Sequence, residues 1–509
     1  MNRRIRRRLA AEKRRIEKRL ADAVRVNDGG PVLQGRNIRY ELAEKTKAIA
    51  CGGIGAIHRM VRRLGLAERI DGALELLKIH KPYDESDHVL NITYNVLCGG
   101  QALEDIEHRR NDRVFLDALG TRSIPDPTTA GDFCRRFAEE DIEVLMEAIN
   151  ETRVALWKRQ PASFTEETAR IDADGTLVET TGECKQGMGL SYKGIWGYHP
   201  LLVSLANTQE PLYIINRSGN RPSHEGGAPV FDAAVTLCRR AGFKDILLRG
   251  DTDFSLISHF DRWDDDGVRF VFGYDAYANL VKTAQMIPDD EYRELVRNAE
   301  HVLKTEPRAK PPRIKEQIVK EKRYKNIKLD SEDMAEFEYR PKYERRCKRS
   351  YRVVVLRKNL TVERGEEALF DDVRYFFYIT NDWKLSMEEV VRESNQRCNQ
   401  ENLIEQLKNG VRALHAPVNT LNANWAYMVI ASLAWTIKAW VGLSLPVSSR
   451  WKELHETDRN AITRMDFRTF LSALVNVPAQ IARTGRRILY RLLAWTRWQH
   501  VFFRFLEAT

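Results

Sequence analysis

Three stretches of the chain hold acidic and basic side chains at spacings that suit phosphoryl transfer. The first is RIDADGTLVET, residues 170–180, where Asp172 and Asp174 stand among the β-branched Ile171, Thr176, Val178 and Thr180, residue types that favour a strand. Carboxylates on a buried strand are costly unless they are hydrogen-bonded, paired or bound to a cation. A strand running into a turn with hydrogen-bonded carboxylates is the plain alternative. Residues two apart project to the same face of a regular strand, so either aspartate can face a metal. Gly175 suits a close backbone approach to a ligand. The second stretch, DILLRGDTDF, is an apolar strand that delivers Asp251 and Asp253 at its far end. The third, SMEEVVRESNQRCNQENLIEQLKN at 386–409, reads as one helix opened by a Ser386–Glu389 capping box and closed at Gly410. Arg397, Glu401 and Lys408 fall along one face of such a helix. Cutting a phosphodiester needs an activated water or hydroxyl and a stabilised leaving oxygen, which two Mg²⁺ ions about 3.5–4 Å apart can serve together. Mg²⁺ takes oxygen ligands and keeps several waters. Asp174, Asp251 and Glu401 would therefore suffice as ligands, with Asp172 as a further candidate, Mn²⁺ as a substitute ion, and Arg397 and Lys408 free to hold phosphates.

The elements that must position these groups follow in order. After RIDADGTLVET comes the polar, glycine-rich loop TGECKQGMGLSYKGIWGY, then two strand-like runs, HPLLVSLANT and PLYIINRSGN. An amphipathic helix, PVFDAAVTLCRRAGF, ends near Gly242, and the strands DILLRGDTDF and VRFVFGYDA follow. The order β-β-β-α-β, acidic on the first strand and at the end of the fourth, is the opening of an RNase H-like nuclease core. The expected fold is thus α/β: a mixed β-sheet flanked by helices, carrying a β-containing insertion, with an all-helical N-terminal domain and a helical C-terminus. Expected boundaries are a basic arm at 1–35, helices for DNA binding or dimer contact at 36–160, the first part of the core at 161–276, a basic β-containing insertion at 277–370, the second part with the Glu401 helix at 371–445, and helices at 446–509. The stretch Gln480–Leu506 is read as a helix with Arg on one side and aromatics on the other. Trp425–Leu443 is apolar enough to span a membrane, but Lys438 within it and its isolation predict a buried core helix.

The 509 residues suffice for two to four domains, and the net charge of +10 is unevenly placed. Basic runs lie at the N-terminus, through KPPRIK, KEKRYK and ERRCKRSYR, and near the end of the chain. Separate clusters suit an extended polyanion such as nucleic acid, while each alone suits a solvated face. The seven cysteines lack metal spacing or a disulfide framework and suit the reduced thiols of a cytoplasmic protein. The N-terminus lacks an apolar signal region.

Taken together, these stretches resemble bacterial insertion-sequence DDE transposases, in the cut-and-paste group with a β insertion, and within it the insertion-sequence thirteen-eighty family. LEDIEHRRND and IPDPTTAGDFCRRF resemble its helical region; DADGT, YKGIWGYHPLL, NRSGN and RGDTDF resemble its core; NQRCNQENLIEQLKNG resembles its last catalytic helix. The related group carries Tyr-x2-Arg-x3-Glu-x6-Lys on that helix. Arg397, Glu401 and Lys408 match it, and Ser394 departs at the Tyr position. The resemblance implies Asp174, rather than Asp172, as the first metal aspartate, Asp251 as the second and Glu401 as the third ligand. It implies nicking at the element's ends by activated water, then attack of a freed 3′-hydroxyl on DNA phosphate; in the related group a hairpin intervenes. Implied partners are double-stranded DNA (terminal inverted repeats and target) and a second copy in a homodimer on the DNA, with no membrane, in the bacterial cytoplasm at the nucleoid. Lys185, Lys193, His199 and Arg217 become candidate DNA contacts beside Arg397 and Lys408, with ordinary surface roles as the alternative.

Two rivals stand. Asp172-x-Asp174-Gly-Thr also resembles the nucleophile motif of haloacid dehalogenase-type phosphatases, although a hairpin of strands follows where a doubly wound fold needs a crossover helix. The other rival is a transposase-derived DNA-binding protein without activity.

Overall fold

The computed structural model describes residues 3–25, 39, 46–78, 82–295, 325–341, 347–364, 367–484, 487–494 and 496–508. KPPRIK, most of KEKRYK, the start of ERRCKRSYR and the end of the basic arm lie outside them. Among the described residues nine strands form one mixed sheet: β1 (Ala169–Gly175), β2 (Leu201–Leu205), β3 (Glu210–Ile215), β4 (Ile246–Gly250), β5 (Arg269–Tyr274), β6 (Arg293–Glu294), β7 (Lys325–Tyr339), β8 (Tyr351–Arg364) and β9 (Glu367–Thr380). Their spatial order is β6-β7-β8-β9-β5-β4-β1-β2-β3. Strand β1 is antiparallel to β2 and parallel to β4, and β4 is parallel to β5. The β-rich segment after residue 276 does not stand apart from this sheet: β9 pairs directly with β5, Phe377 opposite Tyr274.

The helices include α1 (Arg3–Arg25), α2 (Glu85–Leu97), α3 (Glu139–Trp157), α4 (Gly227–Ala241), α5 (Ile257–Asp265), α6 (Met387–Gln396), α7 (Cys398–Glu405) and α8 (Leu421–Ser444). The parallel strands require crossovers, and α4 and α5 supply them. Helix α4 stops at Gly242, whose φ of 110° is open to glycine and strained for other residues. Helix α8 is apolar on every side, and its membrane-length run is wholly buried against α2, α3 and β3. Glu210 fastens this helical layer to the sheet. Fully buried, it accepts from Arg153 Nε at 3.0 Å, Trp157 Nε1 at 3.0 Å and Trp440 Nε1 at 2.9 Å. A buried carboxylate is tolerated when its lone pairs are used in this way.

The C-terminal expectation needs correction. Two strands, β10 (Ala479–Thr484) and β11 (Arg487–Leu492), pair antiparallel, and β10 also pairs with Ala48–Ile49. Ala479 and Ile481 are buried at alternate positions, the period-2 signal of a half-buried strand. Among the described residues of the stretch only those from Gln499 on are helical, in a helix that runs Gln499–Ala508. The helical N-terminal region likewise includes one short strand, Ala48–Ile49.

Candidate active site

Three elements bring Asp251 and Glu401 within electrostatic reach of Asp174. Asp174 stands near the end of β1, opposite Leu202 of β2. Strand β4 ends at Gly250 and Asp251 follows, capping the short turn Thr252–Phe254 by accepting from the Asp253 backbone N–H at 3.0 Å. A Cβ on Gly273 of β5 would stand 3.0 Å from the Thr252 nitrogen, so glycine lets that turn lie against the sheet. Helix α7 brings Glu401. Burial first, then the Asp251 charge, push the Asp174 carboxyl up to about 7, with Glu401 adding to the rise and Arg397 opposing it. Burial also raises Asp251, again opposed by Arg397. Burial lowers the Lys408 ammonium, against which Glu405 and Asp174 act.

Repelling carboxylates on a half-buried surface fit a hard divalent cation, which takes oxygen ligands and relieves their repulsion. The arrangement is open: among the described residues no three His, Cys, Asp or Glu side chains are gathered closely enough to hold a metal ion.

Asp172 is withdrawn as a metal ligand. Its oxygens accept from Arg249 Nε at 2.7 Å and Nη2 at 2.9 Å, and both side chains are 1% exposed. Arg249 Nη1 also reaches Glu393 of α6 at 2.8 Å, and Arg170 clasps the same Glu393 at 2.7–3.0 Å. Burial works against the Arg249 charge, but Asp172 and Glu393 outweigh it and hold its pKa above the ordinary value. The chain Asp172–Arg249–Glu393–Arg170 thus ties β1, β4 and α6 together two residues behind Asp174 and Asp251. The sequence reading did not single out Arg170, Arg249 or Glu393; the one signal was the Arg-x-Asp spacing at 249–251. Gln400, 1% exposed, was missed as well. It donates to Leu202 O at 3.1 Å and accepts from Ser204 Oγ, pinning α7 to β2 beside Glu401.

The expected single helix is broken. Arg397 separates α6 from α7, and a wide π turn, Gln406–Gly410, follows. That turn leaves the Leu407 and Lys408 carbonyls to Ala413 N at 2.8 Å and His415 Nε2 at 3.1 Å. Arg397, Glu401 and Lys408 nevertheless all act electrostatically on Asp174. Ser394, at the departing signature position, is buried at 8% exposure.

Three candidate DNA contacts are occupied within the chain. Lys185 Nζ donates to Val418 O at 2.8 Å and to Ala416 O. His199 is buried, with Nδ1 2.7 Å from Arg221 O. Arg217 donates to His199 O at 3.0 Å, Ser223 O at 3.2 Å and Glu225 O, and burial lowers it to about 10. Gly175 admits no ligand either: a Cβ there would stand 2.9 Å from His199 Nε2 and 3.1 Å from Ser223 Cβ. Lys193 is exposed and Arg397 and Lys408 are half-buried. Part of the basic strand region is also paired internally, Arg349 with Asp264 and Asp265, Arg352 with Glu336, Arg357 with Asp289 and Asp333, and Lys358 with Glu332.

Residues 33–508 match the family model described as transposase DDE domain group 1. The chain belongs to that family. Asp174, Asp251 and Glu401 follow one another along the chain in the order Asp, Asp, Glu. Such families generally use divalent metal ions. No curated protein matches the chain. Among solved structures, a piggyBac transposase synaptic complex with hairpin DNA is similar at a TM-score of 0.32 and 12% identity, over 84% of this chain and 82% of that one.

Proposed function

We propose that this DDE transposase cuts DNA at the ends of a bacterial insertion sequence, of the thirteen-eighty family, and joins those ends to target DNA. The observation that carries this reading is the convergence of Asp251, Glu401 and Arg397 on Asp174, with Lys408 acted on by Asp174 in turn. The strand order β3-β2-β1-β4-β5, with β2 alone reversed, supports an RNase H-like core interrupted after β5. In the proposed organisation the helices of 36–160 and the elements of 446–509 flank that core, and a homodimer brings two DNA ends together. A bound pair of Mg²⁺ ions would supply an activated water and stabilise the leaving oxygen. Asp174, Asp251 and Glu401 would hold them. Arg397 and Lys408 hold the scissile strand by its phosphates, and the Asp172–Arg249–Glu393 link keeps the two aspartate-bearing strands in register. The phosphatase rival needs Asp172 as nucleophile, and Arg249 occupies both of its oxygens.

The test is cleavage of a duplex carrying the inverted repeats that flank the coding gene. Mg²⁺-dependent nicking lost in Asp174→Asn, Asp251→Asn and Glu401→Gln supports the reading. DNA binding without any nicking would instead identify a silent DNA-binding protein, and phosphate release from small phosphoesters alone would sink the transposase reading.

A further inference from the structure

Between β1 and β2 the chain builds a second, three-stranded sheet in which Trp196–Tyr198 lies between Val178–Glu179 and Gly189–Leu190. It grows directly out of the catalytic strand, Val178 being the fourth residue after Asp174. Its outer face is unusually apolar for a surface. Leu190 and Trp196 are direct cross-strand partners, 47% and 52% exposed, and Tyr192 at the tip is 86% exposed.

This tip is stiff. Ser191 N donates to Ile195 O at 2.9 Å, Gly194 N donates to Ser191 O at 2.9 Å, and Ser191 Oγ accepts from Ile195 N at 3.1 Å. Behind it, backbone packs on backbone. A Cβ on Gly197 would stand 2.1 Å from Val178 O and one on Gly219 2.4 Å from Gly189 O, so neither position has room for a side chain. Large rings gathered on one exposed face mark a surface for an external partner. The charge around them names its chemistry. Residues 185–196 contain no acid, Lys193 Nζ lies 5.4 Å from the Tyr192 ring centroid, and Lys193 acts on Lys408, which acts on Asp174. Aromatic faces beside cations, next to carboxylates that work on phosphodiesters, match a single-stranded nucleic-acid platform.

We infer that Tyr192 and Trp196 are positioning residues that stack an unpaired base of the DNA strand whose phosphate lies at Asp174 and Asp251. This rests on the function proposed above. Lys193 takes a backbone phosphate, and stacking is indifferent to base identity.

The experiment measures cleavage of the same flanking-repeat duplex by wild type, Tyr192→Ala/Trp196→Ala and Tyr192→Phe/Trp196→Phe. It is paired with 2-aminopurine fluorescence at successive positions beside the cut, in complexes held uncut by Asp174→Asn. The alanine pair should cut about tenfold or more slowly, the phenylalanine pair near the wild-type rate, and a mismatch at the affected base should restore part of the loss. The fluorescence at one position should differ between complexes with and without the rings. Alanine variants that cut like wild type, or fluorescence profiles that coincide at every position, overturn the platform while leaving the transposase reading standing. A wild-type protein that cuts no DNA overturns that reading and the platform with it.

Discussion

Asp174 keeps its proton to about pH 7 because burial and the Asp251 and Glu401 charges oppose ionisation. Below pH 3.8 folded and unfolded chains both hold this proton; between 3.8 and about 7 only the folded chain does, so stability falls as pH rises across that window. In the absence of divalent ions the denaturant midpoint should decline over this range, and Asp174→Asn should flatten the decline and stabilise the protein above pH 7 by about 1–3 kcal/mol. Metal binding needs the ionised form, so the Mg²⁺ concentration that gives half-maximal nicking should fall as pH rises from about 5 to about 7; a requirement independent of pH in that range would contradict this. Arg249 sets a second expectation. Arg249→Met leaves Asp172 and Glu393 buried without their shared partner and should cost about 3–5 kcal/mol in urea unfolding. These residues also show what a sequence reading can reach. The acidic strand ends and the charged helix stand out because their types and order are unusual. What holds a cation in place does not: Lys185 and Arg217 reach main-chain carbonyls, which every residue carries, so nothing in the sequence separates them from the exposed Lys193.

At the scale of elements, apolar content made α8 legible as a core helix, but not the state of the lysine inside it. Lys438 donates to Thr463 O at 2.8 Å and sits 3.5 Å from the Trp435 ring centroid, and burial lowers its pKa from 10.5 to about 7. Between those values the unfolded chain binds the extra proton, so stability should rise with pH from about 7 to 10. Lys438→Met should remove that slope and raise stability at pH 7 by about 1–2 kcal/mol, measured by urea unfolding at each pH; an unchanged slope would show that the ammonium keeps its charge. Residues 479–492 were misread because Arg and large apolar side chains alternate there in a way that also maps onto a helix, and the deciding partner, Ala48–Ile49, lies far away in sequence. The break at Arg397 and the π turn were equally hidden. They arise where the helix must bury Val390 and Val391 against the sheet and then turn Leu403 and Leu407 into the helical core.

Across the whole molecule, the charge asymmetry of the sequence survives unevenly. Cations on the long strands are spent on internal carboxylates, whereas residues 12–19 of α1 are all exposed. Deleting residues 1–25 should therefore reduce the salt dependence of DNA affinity by several units of log–log slope while leaving thermal unfolding unchanged; an unaltered slope would place the phosphate contacts elsewhere. The sheet has another consequence, for the order in which the protein is made. Strand β5 gains its outer neighbour only through β9, about a hundred residues later. During synthesis the first aspartate-bearing strands emerge early and must wait with a bare edge while the long hairpin strands are translated. Glu401 comes later still, so the ribosome completes the proposed cutting centre only after most of the protein is already outside.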